Sequence, residues 1–475
     1  MSRRTCDVSS DRSCYTTDLR QAIRRYLPRS GLALVVDDDK LRWVPRMLVT
    51  CAILLTWDLA GLLTDGFARA RQVVVGTYPS RRRPGESYAG FMATLARHSA
   101  AHLAVIVPGL RNHVRRLAEQ CGRWRVGGGG GGGGGWLAFG VDGSKLECPM
   151  TAANEAAFGT CGKKKTGPQQ FLTTIFHVGT GLIWDFRRGN ARASERAHLL
   201  EMLDTLPPGA MLLADAGFTG YDLLLSILGG GGGGGGGGRS FILRVGANVR
   251  LLTKLGWCCE EHEGIVYLWP DKAQKKRQAP LVLRLITLVD GRNRRVHLLT
   301  NVLDPRELCD RAAGELYRRR WGVELIYRSL KQTMGKRKLR CDAPANAAVE
   351  LDWAVIGLWL LGLMSVGHII EAGGEPGRWS VAASLRIVRR AMAAAPPPRA
   401  LRGHQQQQGQ RHRRSALAQA LAAATKDGYT RTHPKTARHW PHKKKDKPPG
   451  DPRARMADES EIQLATELRE KARAA

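Results

Sequence analysis

Six residues, Tyr317, Arg320, Trp321, Glu324, Arg328 and Lys331, share one stripe of a segment with helical periodicity. At about 100° per residue they span an arc of roughly 100°, with the lone carboxylate of Glu324 near its middle. Leu316, Val323, Ile326 and Leu330 gather on a separate arc centred roughly 130° away, which gives the segment an apolar face to bury. The other face carries one acid, several cations and two aromatic rings. Such a mixture suits a surface that holds a polyanionic backbone beside a divalent metal: cations and rings for the nucleic acid, the carboxylate for the ion. The competing reading is a ladder of i,i+4 ion pairs, Arg320–Glu324–Arg328, on a solvated helix, each pair contributing only a few tenths of a kcal/mol.

Upstream, two apolar strand-like runs each deliver an aspartate. Trp136-Leu-Ala-Phe-Gly-Val ends on Asp142 and Gly143, and Ala210-Met-Leu-Leu-Ala ends on Asp215, with Gly217 close behind. A charged side chain on a buried strand costs several kcal/mol unless it is paired or metal-bound. Taken singly, each aspartate also reads as a turn former or a helix N-cap, the commoner fate of Asp after a strand. Together with Glu324 they make the three-carboxylate set that binds a pair of Mg²⁺ ions for phosphodiester chemistry.

The spacing Tyr317-x2-Arg320-x3-Glu324-x6-Lys331, with Trp321 directly after the arginine, resembles the signature of DDE transposases of insertion-sequence family four. Val141-Asp142-Gly143-Ser144 and Asp215-Ala216-Gly217-Phe218 match that family's first and second aspartate motifs, and the similarity runs from about Leu48 to Lys447. The resemblance implies that Asp142, Asp215 and Glu324 are catalytic and hold two Mg²⁺ ions, which Mn²⁺ can replace. It implies that Tyr317, Arg320 and Lys331 contact DNA near the cleaved end, and that Trp321 shapes a pocket for a distorted terminal base. Arg328 belongs to the same DNA-facing stripe. The implied reaction is cleavage at inverted-repeat ends through a hairpin intermediate, followed by strand transfer into target DNA by a homodimer in a synaptic complex.

Charge agrees with that reading and names only a partner class. The 475 residues carry a formal net charge of +32, which favours fast, salt-sensitive and largely nonspecific encounter with a polyanion such as double-stranded DNA. The ten cysteines include no C-x-x-C pair and are too sparse for a disulfide scaffold, so they read as reduced thiols of a cytoplasmic, nucleoid-associated bacterial protein. The first residues lead into polar sequence without a signal-peptide core. Trp353 to Ile370 approaches membrane-span length, but its Gly357, Gly362, Ser365, Gly367 and His368 read instead as a buried helix behind the Glu324 helix, with no membrane partner.

The elements that must position these groups suggest an α/β fold: a ribonuclease-H-like catalytic core with a β-rich insertion, a helical N-terminal domain and a disordered basic C-terminal tail. Residues 1–126 read as mainly helical and DNA-binding, with Arg81, Arg82 and Arg83 in a basic turn as candidate phosphate contacts, against the alternative of a bundle that pads the core. Residues 136–245 read strand, hairpin, helix, strand, helix, strand, the first part of the core. By analogy with the implied fold, the first and fourth strands are neighbours, which would bring Asp142 beside Asp215. Residues 246–303 form the β-rich insertion, where Trp257 or Trp269 is either core or a stacking platform for an extruded base. Residues 304–372 complete the core with the Glu324 helix. Residues 390–475 are Ala/Pro-rich and then basic, and read as disordered apart from an amphipathic helix over 459–475. Two runs, Gly127–Gly135 and Gly229–Gly238, lack a phosphate-loop pattern and read as low-complexity expansions.

Two other functions fit parts of the pattern. A ribonuclease-H-type nuclease would share the carboxylates without the Tyr-Arg-Glu-Lys stripe, and an inactive relative acting as a DNA-binding repressor would keep the charge without needing all three acids.

Overall fold

The computed structural model describes residues 18–28, 31–34, 42–58, 61–78, 83–127, 134–160, 167–229, 238–258, 261–291, 293–394, 415–426 and 450–474. Arg81, Arg82, most of each polyglycine run, Gln405–Gln408 and Lys443–Lys447 lie outside the described residues.

Among the described residues ten strands form one mixed sheet. They are β1 (Leu137–Glu147), β2 (Gln169–His177), β3 (Leu182–Asn190), β4 (Ala210–Ala214) and β5 (Ser240–Val245), followed by β6 (Arg250–Thr253), β7 (Ile265–Leu268), β8 (Leu281–Val289), β9 (Arg295–Thr300) and β10 (Arg453–Met456). Their order across the sheet is β10-β6-β7-β8-β9-β5-β4-β1-β2-β3. Strands β1, β2 and β3 run antiparallel, whereas β1, β4 and β5 are parallel neighbours. All five residues of β4 are buried, as a parallel strand covered on both faces demands.

The first and fourth strands are therefore adjacent. Their register pairs Leu137 with Ala210 and Gly140 with Leu213. Continued by two residues, it sets Asp142 level with Asp215, although no strand pairing extends that far.

Strands β6 to β9 do not stand apart as a module. They extend the same sheet, with β9 pairing antiparallel to β5. Trp269 is buried and donates its Nε1–H to the Gln278 carbonyl at 2.7 Å, so it belongs to the core; Trp257 packs partly buried against that core.

Behind the sheet runs the helix Pro344–Glu371, buried along nearly its whole length. It is long and apolar enough to cross a membrane, but the surfaces around it are the protein's own. The helices Pro45–Trp57 and Tyr88–Gln120 pack against it, with Trp57 Nε1 donating to the Gly357 carbonyl and Trp353 Nε1 to Ser99 Oγ, both at 3.0 Å. N-terminal helices and sheet thus share one apolar cluster. The described cysteines Cys51, Cys121, Cys148, Cys258, Cys309 and Cys341 are free thiols.

The expectation of disorder over residues 390–475 needs correction for its described parts. Helix Val381–Ala393 runs past the expected boundary, Ser415 caps a helix over Ala416–Ala422, and strand β10 precedes the expected last helix, Glu459–Ala474. Composition misleads here because so few contacts suffice. Leu417 and Leu421, one turn apart, are both fully buried. Strand β10 needs only the open edge of β6. Glu461 then fixes the last helix by pairing with Arg455 at 2.7 Å and accepting from Gln274 at 3.2 Å.

Candidate active site

The three acids come from three elements that meet at one end of the β1–β4 pair. Asp142 lies within β1, its Oδ1 accepting from the Gly143 amide at 2.8 Å. Asp215 follows β4 and caps the short turn Ala216–Phe218, its Oδ1 accepting from the Gly217 amide at 2.8 Å. The turn-former reading and the site reading of Asp215 are therefore both true. Glu324 sits in the first turn of the helix Gly322–Arg328.

That helix is held against β1 by two contacts. The Tyr327 hydroxyl reaches the carbonyl oxygens of Asp142 at 2.7 Å and Leu172 at 3.0 Å. The Phe176 ring fills the space beside two glycines, Gly140 and Gly322, each two residues before an acid; a Cβ at either would lie under 3.0 Å from the ring.

The segment from Tyr317 to Lys331 departs from an even helix twice. Through Arg320 and Trp321 it tightens, with Arg320 donating to Tyr317 and Glu324 to Trp321 across three residues. At Ser329–Thr333 it widens into a π-turn, a distortion concentrated at functional sites. The two changes re-aim the stripe. Arg320 turns inwards, its Nη1 3.3 Å from Asp142 Oδ2 and its Nη2 3.4 Å from Glu324 Oε1. Lys331 reaches across to β1 and donates to Ser144 Oγ at 2.7 Å. Tyr317 is largely buried under the Arg320 guanidinium, 5.7 Å from its ring centroid. Trp321 stands exposed at 58% on the rim. Arg328 leaves the group and instead lines a separate cavity of about 400 Å³ with Arg319, Trp359, Trp379 and Lys426. Arg83 is exposed.

The acids feel one another. Burial raises the Asp142 carboxyl above its ordinary range and Asp215 adds to this, against the Gly143 amide and Arg320. Glu324 is raised by burial and by Asp142 and Asp215, against Arg320. Burial lowers Lys331, helped by Arg337. The acids do not close on a common point, however. Among the described residues, no three His, Cys, Asp or Glu side chains are gathered closely enough to hold an ion. The Arg320 guanidinium lies between Asp142 and Glu324 and supplies the positive charge there. The donors are carboxylate oxygens alone, a set suited to hard cations such as Mg²⁺ or Mn²⁺ and unsuited to soft metals.

A fourth acid faces this site. Glu195 opens the helix Glu195–Met202 behind the cap of Ser194. Burial pushes its carboxyl up to about 7, with Asp215 and Asp142 adding to the rise. Ser-Glu at a helix start reads as a cap and a favourable first-turn acid, so nothing in the local sequence distinguishes it from an ordinary helix N-terminus. Only its place, on the helix after the third strand, sets it apart.

Comparison with known proteins bears on the same stretch. A protein family described as "Transposase DDE domain" matches residues 139–360. The chain is 26% identical over 226 residues to the transposase InsG for insertion sequence element IS4 of Escherichia coli (strain K12), covering 46% of this chain and 49% of that protein. The chain thus spans about half the length of this curated relative. A solved structure of the piggyBac transposase synaptic complex with hairpin DNA superposes with a TM-score of 0.40 at 11% identity, over 83% of this chain and 82% of that one.

Proposed function

We propose, from the premise that residues 139–360 are a DDE transposase domain of insertion-sequence family four, that this chain cleaves the ends of an insertion sequence and joins them to target DNA by cut-and-paste transposition. The observation that carries this reading is the meeting of Asp142, Asp215 and Glu324, supplied by β1, the end of β4 and a later helix, around one inward-turned arginine. The β3-β2-β1-β4-β5 order that aligns the two aspartates supports a ribonuclease-H-like core.

Asp142, Asp215 and Glu324 are the residues to hold two Mg²⁺ ions, or Mn²⁺ in their place. The chemistry such ions supply when bound is activation of water or a 3′-hydroxyl and neutralisation of the leaving oxygen in an in-line displacement. The protein's own residues do the rest. Tyr327 and Phe176 fix the Glu324 helix to the Asp142 strand. Arg320 balances the charge of Asp142 and Glu324, and its guanidinium would also be the cation at hand for a phosphate in this site. Lys331 and Trp321 border the site on the side open to a DNA end, Lys331 as a phosphate contact and Trp321 as an exposed ring against a distorted base. The double-stranded partners are the element's inverted-repeat ends and the target DNA, brought together by a homodimer in the bacterial cytoplasm.

The test is cleavage of DNA carrying the element's own ends, with Mg²⁺ and with chelator, for the natural chain and for Asp142→Asn, Asp215→Asn and Glu324→Gln. Each substitution is expected to abolish nicking while gel-shift binding survives. Nicking that persists in any of the three, or in chelator, removes that acid or the metal from the mechanism. Retained binding with no cleavage by the natural chain would point to a repressor.

A further inference from the structure

We propose that the cavity beside the Glu324 helix binds a mononucleotide, its ring against Trp359 and Trp379 and its phosphate among Arg319, Arg328 and Lys426. The cavity is separate from the acids. Gly322, Leu325 and Ile326 line it from the helix that carries Glu324, whereas Asp142, Asp215, Glu324, Arg320 and Lys331 do not line it. Trp379 and Lys426 lie beyond the residues 139–360 that match the transposase domain. The inference therefore stands whether or not the three acids hold metal.

Volume, charge and an idle donor select the ligand. About 400 Å³ falls within the range of roughly 300–1,000 Å³ that small-molecule sites occupy. No acid lines the cavity, and among the described residues Arg319 and Arg328 make no ion pair. Lys426 Nζ donates to the Gly377 carbonyl at 3.1 Å. Burial lowers the Lys426 ammonium and Arg328 lowers it further, so like charges meet there without a neutralising partner. Guanidinium forks beside an ammonium suit a phosphate. The indole of Trp359 is fully buried, and its Nε1–H has no hydrogen-bond partner among the described residues. Trp379 Nε1, by contrast, donates to Ser384 Oγ at 2.9 Å. A buried donor left idle destabilises the fold, and an acceptor on a ring edge would satisfy it. A nucleobase has both a face that stacks on indole and acceptors along its edge, and its phosphate answers the cations. Inorganic phosphate would leave the aromatic wall unused, and an acyl anion would leave the indole donor idle.

The experiment is equilibrium dialysis of the full chain against labelled adenosine monophosphate at about 0.15 M salt, which screens diffuse attraction to a chain of net charge +32. One site per chain is expected, with adenosine and inorganic phosphate each binding about tenfold more weakly or worse. Arg328→Ala and Lys426→Ala, both at exposed positions, should each weaken the nucleotide about tenfold. Trp359→Phe, which keeps an aromatic ring and removes the donor, should weaken it about threefold. Arg116→Ala, at an exposed cation on the helix Tyr88–Gln120, is expected to change nothing. Circular dichroism checks the fold of each variant. Binding no tighter than that of inorganic phosphate overturns the proposal, and so does unchanged affinity in both Arg328→Ala and Lys426→Ala, or an equal loss in Arg116→Ala. Competing oligonucleotides separate the two sources of this chemistry. Displacement of the label by a 5′-phosphorylated oligonucleotide but not by its 5′-hydroxyl twin assigns the cavity to a strand terminus, and displacement by neither assigns it to a free nucleotide. Equal displacement by both marks diffuse polyanion binding and overturns the site.

Discussion

Gly322→Ala is expected to slow DNA cleavage by about a hundredfold while making its own helix intrinsically better. Gly322 precedes Glu324 by two residues, and a Cβ there would meet Phe176 Cε2 at 2.6 Å. Ordinary contact begins near 3.4 Å, so something must retreat by about 0.8 Å, a shift well below one side-chain diameter in a close-packed interior. The ring cannot retreat, since its other edge already fills the place of a Gly140 Cβ, 2.0 Å from Cε1, and Phe176 is fully buried. The helix must move instead, and Glu324 moves with it. A misplacement near 1 Å at a reacting centre costs on the order of 10²-fold in rate. The stability ledger is much flatter: alanine favours the helix by about 1 kcal/mol, against about 1–3 kcal/mol for overpacking, a net loss of roughly 0–2 kcal/mol. The assay is single-turnover nicking of end DNA beside a thermal melt and a gel shift. Cleavage within about threefold of the natural rate would refute the coupling of Phe176 to Glu324, since a 1 Å displacement predicts far more. Adding Phe176→Leu to Gly322→Ala should recover part of the lost rate.

Further outcomes follow from the charges. Glu350→Gln should cost about 3–5 kcal/mol by denaturant titration, because it leaves Lys336 charged and unpaired in the interior. Glu350 Oε1 now lies 2.8 Å from Lys336 Nζ, and its Oε2 accepts from the Arg340 amide at 2.7 Å. Burial alone would raise the Glu350 carboxyl, but Lys336 and the Arg340 amide outweigh it and the net shift is downward. Its stabilisation is therefore present above the ordinary carboxylate range and lost as pH falls through its depressed value. Glu195 acts in the opposite sense: raised from 4.5 to about 7, it favours the fold at low pH and progressively less as pH climbs across that window, a dependence that Glu195→Gln should erase in a pH series of melts. Lys331→Ala should weaken binding to end DNA and reduce the salt slope by about one; an unchanged slope would reduce Lys331 to a brace for Ser144.

How much of the site was legible follows from how local its signals are. Asp142 and Asp215 stand out as candidates because each ends an apolar run in which a charge is out of place, and Glu324 because it is the lone acid on a cationic stripe. The even helix assumed for that stripe was an idealisation. The segment tightens at Arg320, widens at Ser329–Thr333 and is anchored to β1 through Tyr327, so Arg328 leaves the group while Arg320 turns inwards to the acids. Glu195 escaped because its significance lies in what faces it across the sheet end, which no run of neighbours encodes. The strands of the core were legible from their apolar runs. Of the described C-terminal pieces only the last helix was legible, from its amphipathic pattern; the others were not, because a few leucines and one edge strand leave little mark in a composition that otherwise signals disorder.

The edge pairing of β6 with β10 carries a consequence for how the protein is made. Arg250 finds Arg453 only after roughly 200 further residues have been synthesised. Until then β6 offers unpaired amides and carbonyls, an adhesive seam open to any passing strand. Nascent copies on a crowded polysome would bear that seam together. Products of a frameshift or nonsense codon before Arg453 would keep it for good, and would be drawn to one another instead of persisting as harmless fragments.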